Sequence, residues 1–166
     1  MIFFLGLGIT FSFFLLAASA EEDSTRLYAG RLDINYIQGN EVIVKPLQPI
    51  PDPSFTETEN IYKNRFFVKS DGTLEQNVQI GFDIFNTQFS KDMIRFKLYT
   101  GDGEELSTGY LNEGYEVMID NLYFEPVEQR EFVLFIWLEE KPFDQSQEME
   151  NKLTGTIRVK AKQYGY

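Results

Sequence analysis

The amino-acid sequence predicts an all-β protein: a single jelly-roll-like antiparallel β-sandwich preceded by an N-terminal signal peptide. Three observations predict this class. Apolar and polar residues alternate with a period of two through most of the chain after residue 20, as in half-buried strands. Turn-forming residues separate the alternating stretches, and no stretch after the leader has the spacing of an amphipathic helix. About eight or nine short strands of this kind are typical of a sandwich or jelly roll.

Four stretches alternate in the first half of the chain: Leu32, Ile34 and Tyr36; Val42 and Val44; Tyr62, Asn64, Phe66 and Val68; and Val78, Ile80, Phe82 and Ile84. Gly39-Asn40 predicts a tight turn between the first two, and Asp71-Gly72 predicts a hairpin between the last two. Four prolines break the pattern over residues 46–53. We interpret this segment as a stiff connection between sheets; a recognition segment in extended conformation is the alternative.

The second half has three further alternating stretches: Ile94, Phe96 and Leu98; Tyr115, Val117 and Ile119; and Leu153, Gly155, Ile157, Val159 and Ala161. Asp102-Gly103 predicts a turn after the first of them. Residues 132–138 are apolar without a break, which predicts a strand that is buried on both faces. Trp137 lies in this run and is therefore predicted to be buried in a central strand. Residues 141–152 are polar and acidic, and they predict a long solvated loop.

Residues 1–20 predict a secretory signal peptide. They carry no charge, are mostly apolar, and end in Ala18-Ser19-Ala20, a cleavage pattern of small residues, directly before Glu21. The folded domain is then predicted to span residues 21–166, and the protein to be secreted to the extracellular matrix or cell surface. The alternative is a retained anchor, because no basic residue precedes the apolar run and its length approaches that of a membrane span. Membrane association is expected only in that case.

Composition narrows the partners and the compartment. The chain has 15 basic and 26 acidic residues, a net charge of −11, which repels nucleic acid and anionic lipid. It has no cysteine, so no disulfide can stabilise the fold outside the cell. Its 16 phenylalanines and 9 tyrosines supply the apolar area from which a core is built instead. We therefore expect one domain that depends on core packing and binds no nucleic acid.

The missing residue types argue against an enzyme. Without histidine or cysteine, the chain has no imidazole base, no catalytic triad of the usual kind and no cysteine nucleophile. No phosphate-binding loop or dinucleotide fingerprint is present. Acidic clusters occur at residues 21–23, at Asp102, Glu104 and Glu105, and at Glu139-Glu140, and we interpret the cluster at residues 102–105 as a solvated turn. We predict no catalytic residues, no metal site and no cofactor.

Three short motifs, in a fixed order, resemble a known family. The stretch YAGRLDI occupies residues 28–34, FVKSDGTL occupies residues 67–74, and GTIRVKAKQ occupies residues 155–163. Their sequence and order are similar to those of the camelysin/TasA family of secreted β-sandwich proteins, and the resemblance covers residues 28–163. Some relatives are labelled metallopeptidases. A zinc ion here would need carboxylate ligands alone, so a carboxylate-metal peptidase is a remote alternative.

The resemblance implies a structural protein, a subunit of an extracellular fibre, biofilm matrix or spore-surface layer. In this family the start of the mature chain inserts as a strand into the next subunit. Residues 21–32 are then the donor-strand segment, with Leu27, Tyr28, Leu32 and Ile34 as its self-assembly residues. The partners would be identical or related subunits. Pairing of this strand within its own sandwich is left open, and a monomeric cell-surface module that binds carbohydrate or protein is the alternative function.

Overall fold

The computed structural model describes residues 26–27, 30–31, 34–37, 42–45 and 47–164. These residues form an all-β fold with two antiparallel sheets packed face to face, and no helix occurs among them. The predicted all-β sandwich is therefore confirmed. The predicted leader and the Gly39-Asn40 turn lie outside the described residues.

Eleven strand segments follow one another along the chain. They are β1 (Arg26–Leu27), β2 (Gly30–Arg31), β3 (Ile34–Ile37), β4 (Val42–Val44), β5 (Ile61–Ser70), β6 (Gln76–Thr87), β7 (Ile94–Thr100), β8 (Glu105–Tyr110), β9 (Gly114–Phe124), β10 (Gln129–Leu138) and β11 (Leu153–Gln163). One sheet has the order β3-β5-β10-β7-β8, and the other has the order β4-β11-β6-β9. Strands β1 and β2 pair with each other in a separate two-stranded sheet.

The main core lies between the two large sheets, and the alternating residues of the sequence supply it. Its fully buried members include, from the five-stranded sheet, Phe66, Val68, Ile94, Leu98 and Leu134, and, from the four-stranded sheet, Val78, Ile80, Phe82 and Leu153. Strand β9 is longer than the predicted short strand: it spans eleven residues, and its pairing with β6 shifts register twice. Tyr115 and Val117 of β9 are exposed, and Met118 takes the buried position.

A second, smaller core explains why the apolar run of β10 is buried on both faces. Val133, Phe135 and Trp137 point away from the main core and form a cluster with Tyr99. Ile50, from the proline-rich segment, and Phe55, just after it, cover this outer face. Ile50 is bonded to the end of β10 by its amide (3.0 Å to the Leu138 carbonyl), and the Phe55 ring stacks on Phe135 at 5.9 Å. The predicted burial of Trp137 in a central strand is confirmed, because β10 is the middle strand of its sheet.

The predicted hairpin at Asp71-Gly72 is wrong. Strands β5 and β6, which flank these two residues, belong to opposite sheets and do not pair with each other. The turn therefore takes the chain across the sandwich. The prediction at Asp102-Gly103 is confirmed, because β7 and β8 form an antiparallel pair and Gly103 has a φ of +98°.

The turn between β9 and β10 holds a strained residue, and releasing the strain is expected to stabilise the fold. Val127 follows Pro126, has a φ of +62° and is 67% exposed. A β-branched residue is disfavoured in this left-handed conformation, which glycine adopts freely. We expect Val127→Gly to raise the free energy of unfolding by about 1 kcal/mol.

Chemical denaturation measures this change, and exposed Val117 in β9 supplies the control. Its φ is not positive, so Val117→Gly should lower the free energy of unfolding, because glycine weakens a strand. Destabilisation by both glycine variants to the same extent would contradict the assignment of strain to Val127.

Candidate functional site

The structure separates the predicted self-assembly residues into two groups. Leu27 lies in β1 and is paired with Gly30 of β2, and among the described residues no ladder joins these two strands to either large sheet. Ile34 begins β3, is paired with Ser70 of β5 in its own chain, and is half-buried against the main core. Tyr28 and Leu32 lie outside the described residues. Pairing within the sandwich therefore includes Ile34, whereas β1 and β2 are paired apart from it.

Among the described residues, one side of the sandwich is incompletely paired. Strand β4 pairs with three residues of β11, Leu153 to Gly155, and within the described ranges no strand continues that ladder along residues 156–163. Strand β3, the edge of the other sheet, runs beside β11 on the same side. Ile34, Val159 and Ala161 pack against the main core here but stay partly exposed. In the part of the chain that the structure describes, the side between β3 and β11 therefore presents backbone without a ladder partner above an incompletely covered apolar floor.

A row of cations follows the open flank of β11. Arg158, Lys160 and Lys162 occupy alternate positions, so they share the outer face of the sheet, and all three are exposed. The Arg158 guanidinium pairs with Asp83 at 2.7 Å. Lys160 lies over the Tyr115 ring, with its Nζ 4.5 Å from the ring centroid.

The two lysines face neutral residues on the neighbouring strand. Their register partners on β6 are the amides Gln79 and Asn77, and no carboxylate within the described part of the chain forms a salt bridge with either lysine. This flank is thus locally basic in a protein whose net charge is −11. An acidic segment is the charge-matched partner for it.

The opposite side of the sandwich, between edge strands β8 and β9, holds a cleft of about 500 Å³. Leu106, Leu122 and Phe132 form its apolar floor, and Asp102 and Glu131 are among its rim residues. The rim carboxylates have partners of their own: Thr100 donates to Asp102, and Arg65 pairs with Glu131 at 2.7 Å. The edge strands β8 and β9 also carry exposed acidic residues, Glu105 and Asp120. Arg130 also lines the cleft, so charges of both signs stand on this side.

A polar network closes one end of the outer core beside the proline-rich segment. Glu139 accepts hydrogen bonds from the Arg95 guanidinium (2.9 Å), the Tyr110 hydroxyl (2.9 Å) and the Lys141 ammonium group. Burial alone would raise the pKa of Glu139, but these hydrogen bonds outweigh it and hold the pKa below its ordinary value. Since the Arg95 guanidinium carbon also lies 5.8 Å from the centre of the Trp137 ring, the network forms part of the packing around the second core.

Removing the charge of Glu139 is expected to weaken the fold near neutral pH. Glu139→Gln would leave Arg95 and Lys141 without their anionic partner, and we expect a loss of about 2 kcal/mol in the free energy of unfolding. Because the folded pKa of Glu139 is depressed, its contribution is present above the unfolded pKa and is lost as the pH falls through the folded pKa. The difference in the free energy of unfolding between the parent protein and Glu139→Gln should therefore become smaller below about pH 5.

Glu128→Gln is a matched comparison for this pH dependence, because the hydrogen bond from Arg130 also outweighs burial and lowers the pKa of Glu128. In each variant, the free energy of unfolding should fall less steeply with decreasing pH below about pH 5 than in the parent protein. The same pH dependence in Glu139→Gln and in the parent protein would contradict the predicted linkage.

No group of three or more histidine, cysteine, aspartate or glutamate side chains among the described residues is placed to hold a metal ion. Of the acidic cluster at residues 102–105, Asp102 accepts from Thr100, and Glu105 is paired with Lys97 at 3.2 Å. Within the same described ranges, no helix has the length and apolar character needed to span a membrane.

In comparisons with known proteins, no family model, no curated protein and no solved structure matches this chain. Its relation to the camelysin/TasA family therefore stays a prediction from the sequence motifs.

The open flank of β11 was not predicted from the sequence. The sequence predicted the alternating strand over residues 153–161, but it did not predict a basic flank at Arg158, Lys160 and Lys162. These residues lie along an open edge because β4 pairs with only three residues of β11. Strand partners and strand lengths are set by contacts between residues that are distant in sequence.

Proposed function

We propose that this chain is an exported, non-enzymatic structural protein, a subunit of an extracellular fibre, biofilm matrix or spore-surface layer that assembles by strand addition. The observation that carries the proposal is the combination of a free segment and an open edge. Strands β1 and β2 are joined to neither large sheet, and the flank of β11 beyond Gly155 has no ladder partner among the described residues. An extended segment adds to such an edge through backbone hydrogen bonds.

The pairing of β1 with β2 is suited to exchange. It joins two pairs of residues, and its register sets Arg26 opposite Arg31. Opening two pairs of residues therefore costs little compared with the longer ladder that a strand gains at a sheet edge.

We also infer a jelly roll from the strand order. The two sheets contain β5-β10-β7-β8 and β4-β11-β6-β9, and every connection from β4 to β11 crosses between sheets except the β7–β8 hairpin. Two interlocked Greek keys give this order. Strand β3 is an addition to the edge of the five-stranded sheet.

A head-to-tail contact between such sandwiches that does not close on itself generates a filament.

Deleting residues 21–28 tests the donor strand. The sandwich retains both its cores, so the variant should fold with a melting temperature close to that of the parent, but it should not elongate. Leu27→Asp should also shorten fibres more than it lowers the melting temperature, because it introduces an unpaired charge into an apolar contact. Fibre length by electron microscopy and thermal denaturation are measured side by side.

Two outcomes would overturn the donor-strand proposal. Unfolding of the deletion variant would show that the strand belongs to its own sandwich, and fibres of normal length would show that assembly uses another surface.

A monomeric surface binding module is the second candidate. The outer face of the four-stranded sheet has no counterpart of the proline-rich cover within the described residues, and it exposes Ile43, Phe85, Tyr115 and Val117. Exposed aromatic side chains such as tyrosine are enriched at binding interfaces because they combine a large apolar surface with a polar group. A protein that stays monomeric and binds a carbohydrate, with the affinity lost in Tyr115→Ala, would favour this candidate.

A further inference from the structure

We propose that the open flank of β11, residues 156–163, is the acceptor edge, and that Lys160 and Lys162 receive the acidic residues 21–23 of a second copy. This inference rests on the proposed function, because it identifies where the donor segment binds.

The first argument is the available backbone. Residues 156–163 of β11 pair with β6 on one side, and on the other side no described strand extends beyond Gly155. A strand added there would continue the four-stranded sheet between β4 and the end of β11. It would also cover Val159 and Ala161, which face the core but are partly exposed. Backbone pairing and apolar cover therefore occur together at this edge.

The second argument is charge. Lys160 and Lys162 stand two residues apart on the outer face, opposite the neutral side chains Gln79 and Asn77. Residues 21–23 are Glu-Glu-Asp. Because alternate residues of a strand point to opposite faces, any register that places residues 21–23 beside residues 160–162 puts at least one carboxylate next to a lysine.

The third argument is the contrast with the other open side. The cleft between β8 and β9 also has an apolar floor, but charges of both signs stand at its rim, Asp102 and Glu131 beside Arg130. Residues 21–23 would meet like charges there as well as a cation, whereas Lys160 and Lys162 stand opposite neutral amides. Charge therefore favours the flank of β11 over the cleft.

In an antiparallel addition, the residues that follow the acidic start run along β11 from Lys162 towards Ile157. The register that sets Glu22 opposite Lys162 also sets Leu27 opposite Ile157, which is buried in the main core, so Leu27 would share the core-facing side of the edge. The apolar anchor and the acidic start would in this way bind different parts of the same edge.

Charge reversal tests the pairing in protein purified after export. Lys160→Glu with Lys162→Glu should slow elongation at least about tenfold, since like charges would then meet along the edge. Reversing residues 21–23 to lysine should have a similar effect, and combining the two sets in one chain should restore elongation. Lys91→Glu with Lys152→Glu, which changes the same charge at two exposed lysines outside β11, is the matched control and should elongate like the parent.

The outcomes separate this inference from the proposed function. Normal elongation of the β11 variant, while deletion of residues 21–28 stops assembly, would leave the donor strand in place and overturn the acceptor edge. Failure of the combined variant to recover would overturn the charge pairing. Normal elongation after the deletion would overturn the proposed function itself.

Discussion

Replacing Trp137 with alanine is expected to lower the free energy of unfolding by about 3–5 kcal/mol, as for other large-to-small changes at buried positions. Trp137 is 0% exposed and lies in the middle strand of its sheet, between Arg95 and the cluster formed with Phe135 and Val133. Its removal would leave a cavity under the proline-rich segment. A loss of this size is a large part of a domain's usual stability, so the variant should be close to unfolding at moderate temperature.

The measurement is chemical denaturation followed by tryptophan fluorescence and circular dichroism. Because Trp137 is the one tryptophan of the chain, the parent should show a blue-shifted emission maximum that moves to the red on unfolding. Circular dichroism reports on the alanine variant. Phe85→Ala is the matched control, since this phenylalanine is 55% exposed, and it should change stability little. Equal effects of the two substitutions, or a water-like emission spectrum in the folded parent, would contradict the burial of Trp137.

Replacing Gly155 with alanine is expected to cost about 2–3 kcal/mol or more, because an added methyl group has no space in the packed core. A Cβ atom there would lie 2.6 Å from the Asp83 carbonyl oxygen and would also collide with the Phe82 ring. Gly155 stands at the point where the β11–β6 register shifts and where β4 ends its pairing with β11. The backbone of β6 cannot move away without breaking this pairing.

Gly81 offers a matched control on the neighbouring strand β6. A Cβ atom at Gly81 would meet the phenol end of Tyr115, whose exposed side chain can rotate away. Gly81→Ala should therefore cost much less than Gly155→Ala. Chemical denaturation of both variants measures the difference, and equal stabilities would contradict the close approach at Gly155.

Most strands of the sandwich were predictable because they repeat a local pattern, whereas β8 (ELSTGY) has no such pattern and was not predicted. Val78, Ile80, Phe82 and Ile84 alternate with polar or small residues and are all buried, and the unbroken apolar run of β10 indicated a strand buried on both faces. The cover of its outer face was not predicted. Four prolines indicated a stiff connection, and this segment does connect β4 to β5 in the other sheet, but nothing local showed that Ile50 and Phe55 pack on β10.

Strand partners were less predictable than strands. Asp71-Gly72 has the chemistry of a tight turn whether the next strand returns beside the first or crosses to the other sheet. Which of these occurs depends on the partners of β5 and β6, and these partners, β10 and β11, lie far along the chain. The candidate site had the same limit. Leu27 and Ile34 stood out within a motif, but the open edge appears only when the short β4 is set against the long β11.

The most direct test of the proposed function is electron microscopy of the purified protein after export, with its first residue determined by N-terminal sequencing. We expect a mature chain that begins at Glu21 and forms unbranched fibres, and we expect a free peptide matching residues 24–36 to cap the growing ends and shorten them. Monodisperse single particles at every concentration and salt condition, with Glu21 at the N-terminus, would contradict assembly by strand addition while leaving the β-sandwich unaffected.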